Sequence, residues 1–228
     1  VGDALNCLAL ETATTACAVG LSTESVELVR VLDHDRRHTE VLALGIASML
    51  EETALGARDI DRVVVDVGPG LFTGLRVGIA TAIGLSQGLG CALVGVTSLE
   101  LLAHGAHDAG VRGSALCCVD GRRGEIFVQT FSLGDGVESL DAPSVAVASD
   151  VVSHWATYGT PVTFTGDGVE RYLTDFTAVP GAQFFSQTIP SVHAALALGS
   201  LREATDTVAP LYLREADAIA NFTTRERS

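Results

Sequence analysis

Glycines at 68, 70, 74 and 78 punctuate GPGLFTGLRVG, which follows the strand-like run RVVVDV (62–67) and opens a helical pattern. Strand, glycine turn and helix are the parts of a phosphate site, because the first N–H groups of a helix lack an intrahelical partner and attract anions. The surrounding chemistry is incomplete. A dinucleotide fingerprint needs its third glycine at position 73, whereas it stands at Gly74, with Pro69 inside the first pair. No acidic residue follows ~20 positions on to hold a ribose. All 14 basic residues are Arg, so neither a Walker A loop nor a Schiff-base enzyme can be built from this chain alone. The same glycines could instead let the chain turn and a helix pack closely on its sheet.

Other chemistry-bearing residues carry competing readings. Glu11-Thr12 sits between two strand patterns, and Asp120 stands near Glu125 across the turn GRRG. Both carboxylates of that second pair flank a hairpin turn, where solvated acids are ordinary. Arg122 and Arg123 could hold a phosphate or a partner's carboxylate, or simply be solvated. Asp167, between Gly166 and Gly168, reads as turn chemistry. His34 and His38 are four apart beside Asp33 and Asp35, a spacing that could hold a metal, but the two neighbouring arginines oppose a cation. Cys7, Cys17, Cys91, Cys117 and Cys118 show no C-x-x-C spacing, which favours reduced, buried thiols over a disulfide frame or zinc knuckle.

The elements that position these residues follow from hydrophobic pattern. Residues 5–10, 16–21 and 25–32 read as strands, 39–52 as a helix, 62–67 as a strand, about 75–88 as a helix and 91–96 as a buried strand. A helix opens at Ser98. ALCCVD, GRRG and EIFVQTFSL then form a hairpin that repeats the plan of the first one, and PVTFTGDGVERY is a strand entering a glycine turn. An alanine-rich helix spans 191–204. The uncharged stretch between Arg76 and Glu100 is 23 residues long, enough to cross a bilayer, yet its glycines favour helix, stop and strand. The pattern describes an α/β protein of two similar lobes with mixed sheets: residues 1–107, possibly completed by 208–228, and residues 108–207.

Composition narrows function. Hydrophobic residues make up 47% of the chain and charged ones 18%, with 28 acidic side chains giving a net charge of −14. Such a surface repels nucleic acid and anionic lipid unless a local basic patch intervenes. The N-terminal run lacks the basic region of a signal peptide, and the expectation is a cytoplasmic protein without a membrane span.

GPGLFTGLRVG resembles the GPGSFTGLRVG signature of the TsaB (YeaZ) family. LALETATTACAVGL, RRHTEVLALGIASML, GVTSLELLA, VDGRRGEIFVQTF, FTGDG and PLYLRE match further family features in order, so the resemblance covers nearly the whole chain. It implies two actin- and sugar-kinase-like lobes of the ribonuclease-H-like type. It also implies a non-catalytic partner of the larger TsaD proteins, which, with the small ATPase TsaE, move a threonylcarbamoyl group onto the adenosine beside the anticodon of tRNAs. TsaD proteins carry a metal through an H-x-x-x-H pair; in register, this chain has Ser98 and Leu102 there, with His104 nearby but out of register. Leu71 stands where the family usually has Ser, and Glu11 where the related fold usually has Asp. The resemblance therefore implies no catalytic or metal residues.

For nucleotide, only Glu11, Thr12, Asp120, Gly166 and Gly168 are candidates, and any ATP or ADP is expected at the interface with TsaD. That interface is expected on the helix after the glycine turn, at Thr73, Leu75, Arg76, Ile79, Ala80, Ile83 and Gln87, because small residues permit close helix–helix approach. The partners implied are TsaD, TsaE and a second copy when the chain is isolated, with tRNA contacted only indirectly. The alternative is a stand-alone ATP-dependent phosphotransferase of the sugar-kinase type, which requires Glu11 and Asp120 to present carboxylates to Mg²⁺. A peptidase would need a nucleophile–base pair or metal site, and neither occurs at suitable spacing.

Overall fold

A computed structural model describes residues 5–32, 38–158 and 161–214, which leaves His34, Asp33 and Asp35 outside the described residues. The chain opens with an antiparallel meander of β1 (Cys7–Glu11), β2 (Ala18–Ser22) and β3 (Glu27–Val31). Helix α1 (His38–Glu52) and a short 3-10 turn (Ala57–Asp59) lead to β4 (Arg62–Asp66), which pairs parallel to β1. Helix α2 (Phe72–Leu89) then crosses to β5 (Ala92–Val96), parallel to β4, giving the order β3-β2-β1-β4-β5. The sequence pattern follows burial: CLALE in β1 is buried throughout, whereas the edge strand β3 is half-buried with exposed ends. Gly90 ends α2 in the left-handed conformation, its N–H donating to Ser86 O at 2.8 Å. Among the described residues no helix is long and apolar enough to cross a membrane.

Helix α3 (Ser98–Asp108) leads into the second sheet. Its long hairpin is β6 (Gly113–Arg122) and β7 (Glu125–Leu133), extended by β8 (Val137–Ser139) and β9 (Ser144–Val147), both antiparallel to β7. After α4 (Ala148–Tyr158), β10 (Val162–Thr165) pairs parallel to β6. Two short helices, α5 (Asp167–Arg171) and α6 (Leu173–Phe176), precede β11 (Gln183–Phe185), which is parallel to β10. The order is β11-β10-β6-β7-β8. Each sheet thus has an opening hairpin with two parallel strands added on the far side of its first strand, and the two mixed-sheet lobes share one plan.

The lobes exchange their last helices. Helix α7 (Val192–Leu201) follows β11, yet Val192, Ala194, Ala195 and Leu196 pack with Cys7, Ala9, Val64 and Val94 of the first sheet. Leu99, Leu102, Ala103 and Ala106 of α3 pack instead with Ala115, Cys117 and Phe127 of the second. Helix α7 thus follows the second sheet in sequence and covers the first in the fold. Two glycines allow its close approach: a Cβ on Gly20 would lie 2.5 Å from Val192 Cγ1, and one on Gly199 would overlap Val64. Ser191 caps α7, its hydroxyl accepting from Ala194 N at 3.1 Å, and the Arg62 guanidinium donates to the carbonyls of Gly199 and Arg202 at its other end. Beyond α7 a strap (203–214) runs along the first lobe, with Thr205 N donating to Leu93 O at 2.8 Å and Leu211 N to Val67 O at 2.7 Å.

Candidate functional site: the closed glycine turn and the cleft beside it

The turn between β1 and β2, which carries the nucleotide candidates Glu11 and Thr12, packs directly against the glycine turn. Gly70, Gly74 and Gly78 press on residues 12–13. A Cβ at Gly70 would overlap Ala13 O, one at Gly74 would overlap Thr12 O, and one at Gly78 would overlap Thr12 Oγ1. Hydrogen bonds lock the contact: Thr12 Oγ1 donates to Gly74 O at 2.9 Å, and Leu71 N donates to Ala13 O at 2.6 Å. Of the two roles open to these glycines, close packing is the one the fold uses. Leu71 stands at the N-cap of α2 and offers its backbone no side-chain hydrogen bond.

Glu11 lies behind this contact, 1% exposed, with Oε1 accepting from Ala13 N at 2.8 Å. Its neighbour is Asp66, 0% exposed at the end of β4, whose Oδ1 accepts from Gly68 N at 2.7 Å and Ser98 Oγ at 2.8 Å. The second oxygen of each, Glu11 Oε2 and Asp66 Oδ2, has no donor from another group. Two buried carboxylates can share this space only with a proton between them. Burial first, and then the charge of Asp66, pushes Glu11 well above the usual carboxylate range. Burial also raises Asp66, while the hydrogen bond from Glu11 and those from Gly68 and Ser98 oppose the rise. Burial thus disfavours a second negative charge here, most strongly on Glu11. Asp66 was not singled out in the sequence; a lone acid inside the apolar run VVVDV was its signal. Ser98, at a metal-histidine position of TsaD proteins, is a hydrogen-bond donor to this pair, and Leu102 is core.

The second lobe repeats the closure. Asp120 is 5% exposed rather than solvated, because Oδ1 accepts from Arg122 N at 2.9 Å and Oδ2 meets Arg122 Nη1 at 3.0 Å and Arg171 Nη1 at 3.4 Å. Glu125 is not its partner and pairs with Arg214 at 2.6 Å. Asp167 is more than a turn residue: it opens α5 and accepts from Asp120 N at 2.9 Å, and burial lifts it to about 6. A Cβ on Gly166 would overlap Cys118 O, and one on Gly168 would lie 2.6 Å from Cys118 Sγ. A Mg²⁺-nucleotide does not fit these residues: the carboxylate expected from the first lobe is buried and pushed toward its neutral form, that of the second is ion-paired, and both glycine turns are filled.

Helix α2 carries two glycine pairs on different faces. Gly74 and Gly78 face inward, whereas Gly84 and Gly88 would place a Cβ in open space. Among the residues expected at a partner interface, Thr73, Arg76, Ala80 and Gln87 are exposed and Ile83 is half-buried. Leu75 and Ile79, 1% and 6% exposed, are core residues of the first lobe. The exposed stripe borders a groove of about 490 Å³ shared with Leu42 and Ala43 of α1. That groove opens into a cleft of about 1170 Å³ between the lobes, walled by α2, the β6–β7 turn and the strap. His38 lines it, its Nε2 3.3 Å from Thr15 O. Tyr212 of the strap stacks on Phe72 with centroids 5.4 Å apart, Arg76 lies 3.7 Å over the same Phe72 ring, and Arg76 Nε donates to Tyr212 OH at 3.1 Å. Among the described residues, no group of three or more His, Cys, Asp or Glu could hold a metal. All five cysteines are free, and burial raises Cys7 and Cys17 to about 11.

Two lobes with one strand plan, each with its turns at a common cleft, define a two-lobed α/β protein with mixed sheets. A family model described as "TsaD: tRNA N6-adenosine threonylcarbamoyltransferase" matches residues 33–186. An uncharacterised protein of Mycobacterium tuberculosis is 31% identical over 92% of each chain. The tRNA threonylcarbamoyladenosine biosynthesis protein TsaB of Bacillus subtilis is 27% identical over 94% of this chain and 96% of its own. The crystal structure of a Pseudomonas aeruginosa protein, described as similar to peptidase YEAZ, superposes with a TM-score of 0.81 at 25% identity, covering 92% of this chain and all of that one. The chain belongs to the TsaB (YeaZ) family, within the wider family that the TsaD model describes.

Proposed function

We propose that this chain acts in tRNA threonylcarbamoyladenosine biosynthesis as a non-catalytic partner subunit that binds and activates a TsaD-type transferase, together with the ATPase TsaE. The observation that carries the reading is the closed glycine turn. The residues that would cradle a phosphate are in contact with the chain's own Thr12 and Ala13, and burial disfavours charge on the carboxylate behind them. A phosphotransferase needs both open, so that alternative has nothing to support it here.

The exposed face of α1 and α2 supports the partner role. A glycine within a helix is less favourable than alanine by ~1 kcal/mol, and among the described residues neither Gly84 nor Gly88 meets a neighbour that a Cβ would touch. A partner helix approaching closely along Arg76, Ala80 and Gly84 gives them a use. The isolated chain pairs with a second copy through the same face, and the TsaD-type subunit replaces that copy. Any ATP or ADP of the assembly lies at the interface with that subunit. With a net charge of −14, tRNA contact falls to the partner, in the cytoplasm. The test is sedimentation of this chain with a purified TsaD-type protein from the same source. A one-to-one complex is expected, abolished by Gly84→Leu; a variant that binds as well as wild type would overturn the assignment of this face.

A further inference from the structure

The chain crosses between the lobes at residue 97, entering α3, and again at 186–191, entering α7. Those two helices pack side by side and cover opposite sheets. None of the cleft-lining residues comes from either helix, so the cleft lies away from these crossings. A third link stands at the cleft itself, where the strap passes from one lobe to the other within four residues. Leu211 N donates to Val67 O at 2.7 Å and Tyr212 stacks on Phe72, both in the first lobe. Leu213 packs on the second-lobe cluster that holds Ala115 and Phe127. Arg214 Nη1 donates to Oε2 of Glu125, the first residue of β7, at 2.6 Å.

This link has no slack. Three residue steps separate Leu211 from Arg214, at most ~10 Å of extended chain, so the lobes cannot part far while both grips hold. The grips are unequal. On the first lobe the hydrogen bond and the ring stack are reinforced by the Thr205–Leu93 bridge and by Val208 against Gly95. On the second, the ion pair is 35% and 36% exposed and contributes little, which leaves the half-buried Leu213 as the main hold. Release therefore begins at the second lobe. The first-lobe grip also reaches the proposed docking face. Tyr212 OH accepts from Arg76 Nε at 3.1 Å, and Arg76 lies over Phe72. Phe72 and Arg76 line both the cleft and the α1–α2 groove.

We propose that residues 211–214 form a latch across the cleft, which sets the angle between the lobes and passes any change of that angle to Phe72 and Arg76 on the docking face. The second half of the inference rests on the partner-subunit reading. The first half is tested on the free, full-length chain. Spin-labelled p-acetylphenylalanine replaces Glu40 in α1 and Asp150 in the first turn of α4, both exposed, and labelled chain is diluted with unlabelled so that distances within one molecule are read. Wild type should give one narrow distribution, and Leu213→Ser with Glu125→Gln should broaden it toward longer distances. Arg214→Gln with Glu125→Gln, which disturbs no core residue, should shift the populations roughly two- to fivefold in the same direction. Unchanged distributions in both folded variants would overturn the latch, whether or not a partner binds.

The second half is read by titration calorimetry with the purified TsaD-type protein. Leu213→Ser with Glu125→Gln should weaken binding roughly fivefold or more, although neither residue lines the α1–α2 groove. In a Tyr212→Ala chain, whose link to Arg76 is already cut, the same pair of substitutions should add nothing. Equal losses with and without Tyr212 would overturn the coupling and leave the partner reading standing. No binding by wild type would remove the partner reading and the coupling together, while the latch stands or falls on the measured distances.

Discussion

Replacing Gly84 and Gly78 by alanine should move stability in opposite directions, although both lie in the same helix. At Gly84 an added Cβ meets nothing within 4 Å, so only backbone propensity changes. Alanine is favoured over glycine in a helix interior by ~0.8–1 kcal/mol, which raises Tm by about 2–4 °C for a domain of this size. At Gly78 the same Cβ would overlap Thr12 Oγ1, the hydroxyl that bonds Gly74 O at 2.9 Å. Thr12 is buried under β1 and cannot swing clear. Overpacking of about 1–3 kcal/mol adds to a lost buried hydrogen bond of about 1 kcal/mol. Thermal and urea melts of both variants at low chain concentration, with sedimentation to record association, measure the difference. The second half of the prediction is functional: Gly84→Ala should be the more stable chain and the weaker binder. Equal losses of stability at both positions would refute the assignment of inward and outward faces of α2.

Three further outcomes follow from individual contacts. Leu71→Ser supplies the missing N-cap of α2 and should stabilise the chain by about 1 kcal/mol in urea melts. Glu11→Gln tests the shared proton. A carboxyl held protonated in the fold stabilises most below its unfolded value near 4.5, and that contribution is lost as pH rises toward the raised folded value. Gln keeps an acceptor for Ala13 N and donates to Asp66, so the variant should lose less stability than wild type between pH 5 and 9; parallel curves would refute the protonated pair. Asp167, lifted to about 6, contributes a dependence of the same sign in both chains and cancels in the comparison. Arg62→Ala removes the tie from β4 to the end of α7 and should cost about 2–3 kcal/mol, read as a lower urea midpoint.

Much of the architecture was legible because it is local. Alternating and continuous apolar runs mark β1, β4 and β6, Gly90 stops α2, and the turn GRRG separates two strands of one hairpin. Exchange of α3 and α7 was not legible, since an alanine-rich helix such as VHAALALGSL is apolar all round and does not declare which sheet it covers. Glycines gave the same difficulty at the site. Gly74, Gly78, Gly84 and Gly88 look alike in sequence, and only the position of Thr12 separates the packed pair from the open one. Asp120 read as a solvated turn acid because its partners, Arg171 and the backbone of Arg122, depend on how α5 meets the hairpin. Leu75 and Ile79 were expected at the interface with Arg76 and Ala80, but helical rotation sends them to the core. The strap residue Tyr212 carried no local signal at all; its role comes from Phe72 and Arg76, more than a hundred residues earlier.

The central claim is that this chain enables a reaction that it does not perform. Threonylcarbamoylation of unmodified tRNA by purified TsaD-type enzyme, TsaE and the enzyme that makes the adenylate, run with and without this chain, measures it directly. Modification is expected only when the chain is present, with none from the chain alone and loss with Gly84→Leu. Full modification in its absence would contradict the account.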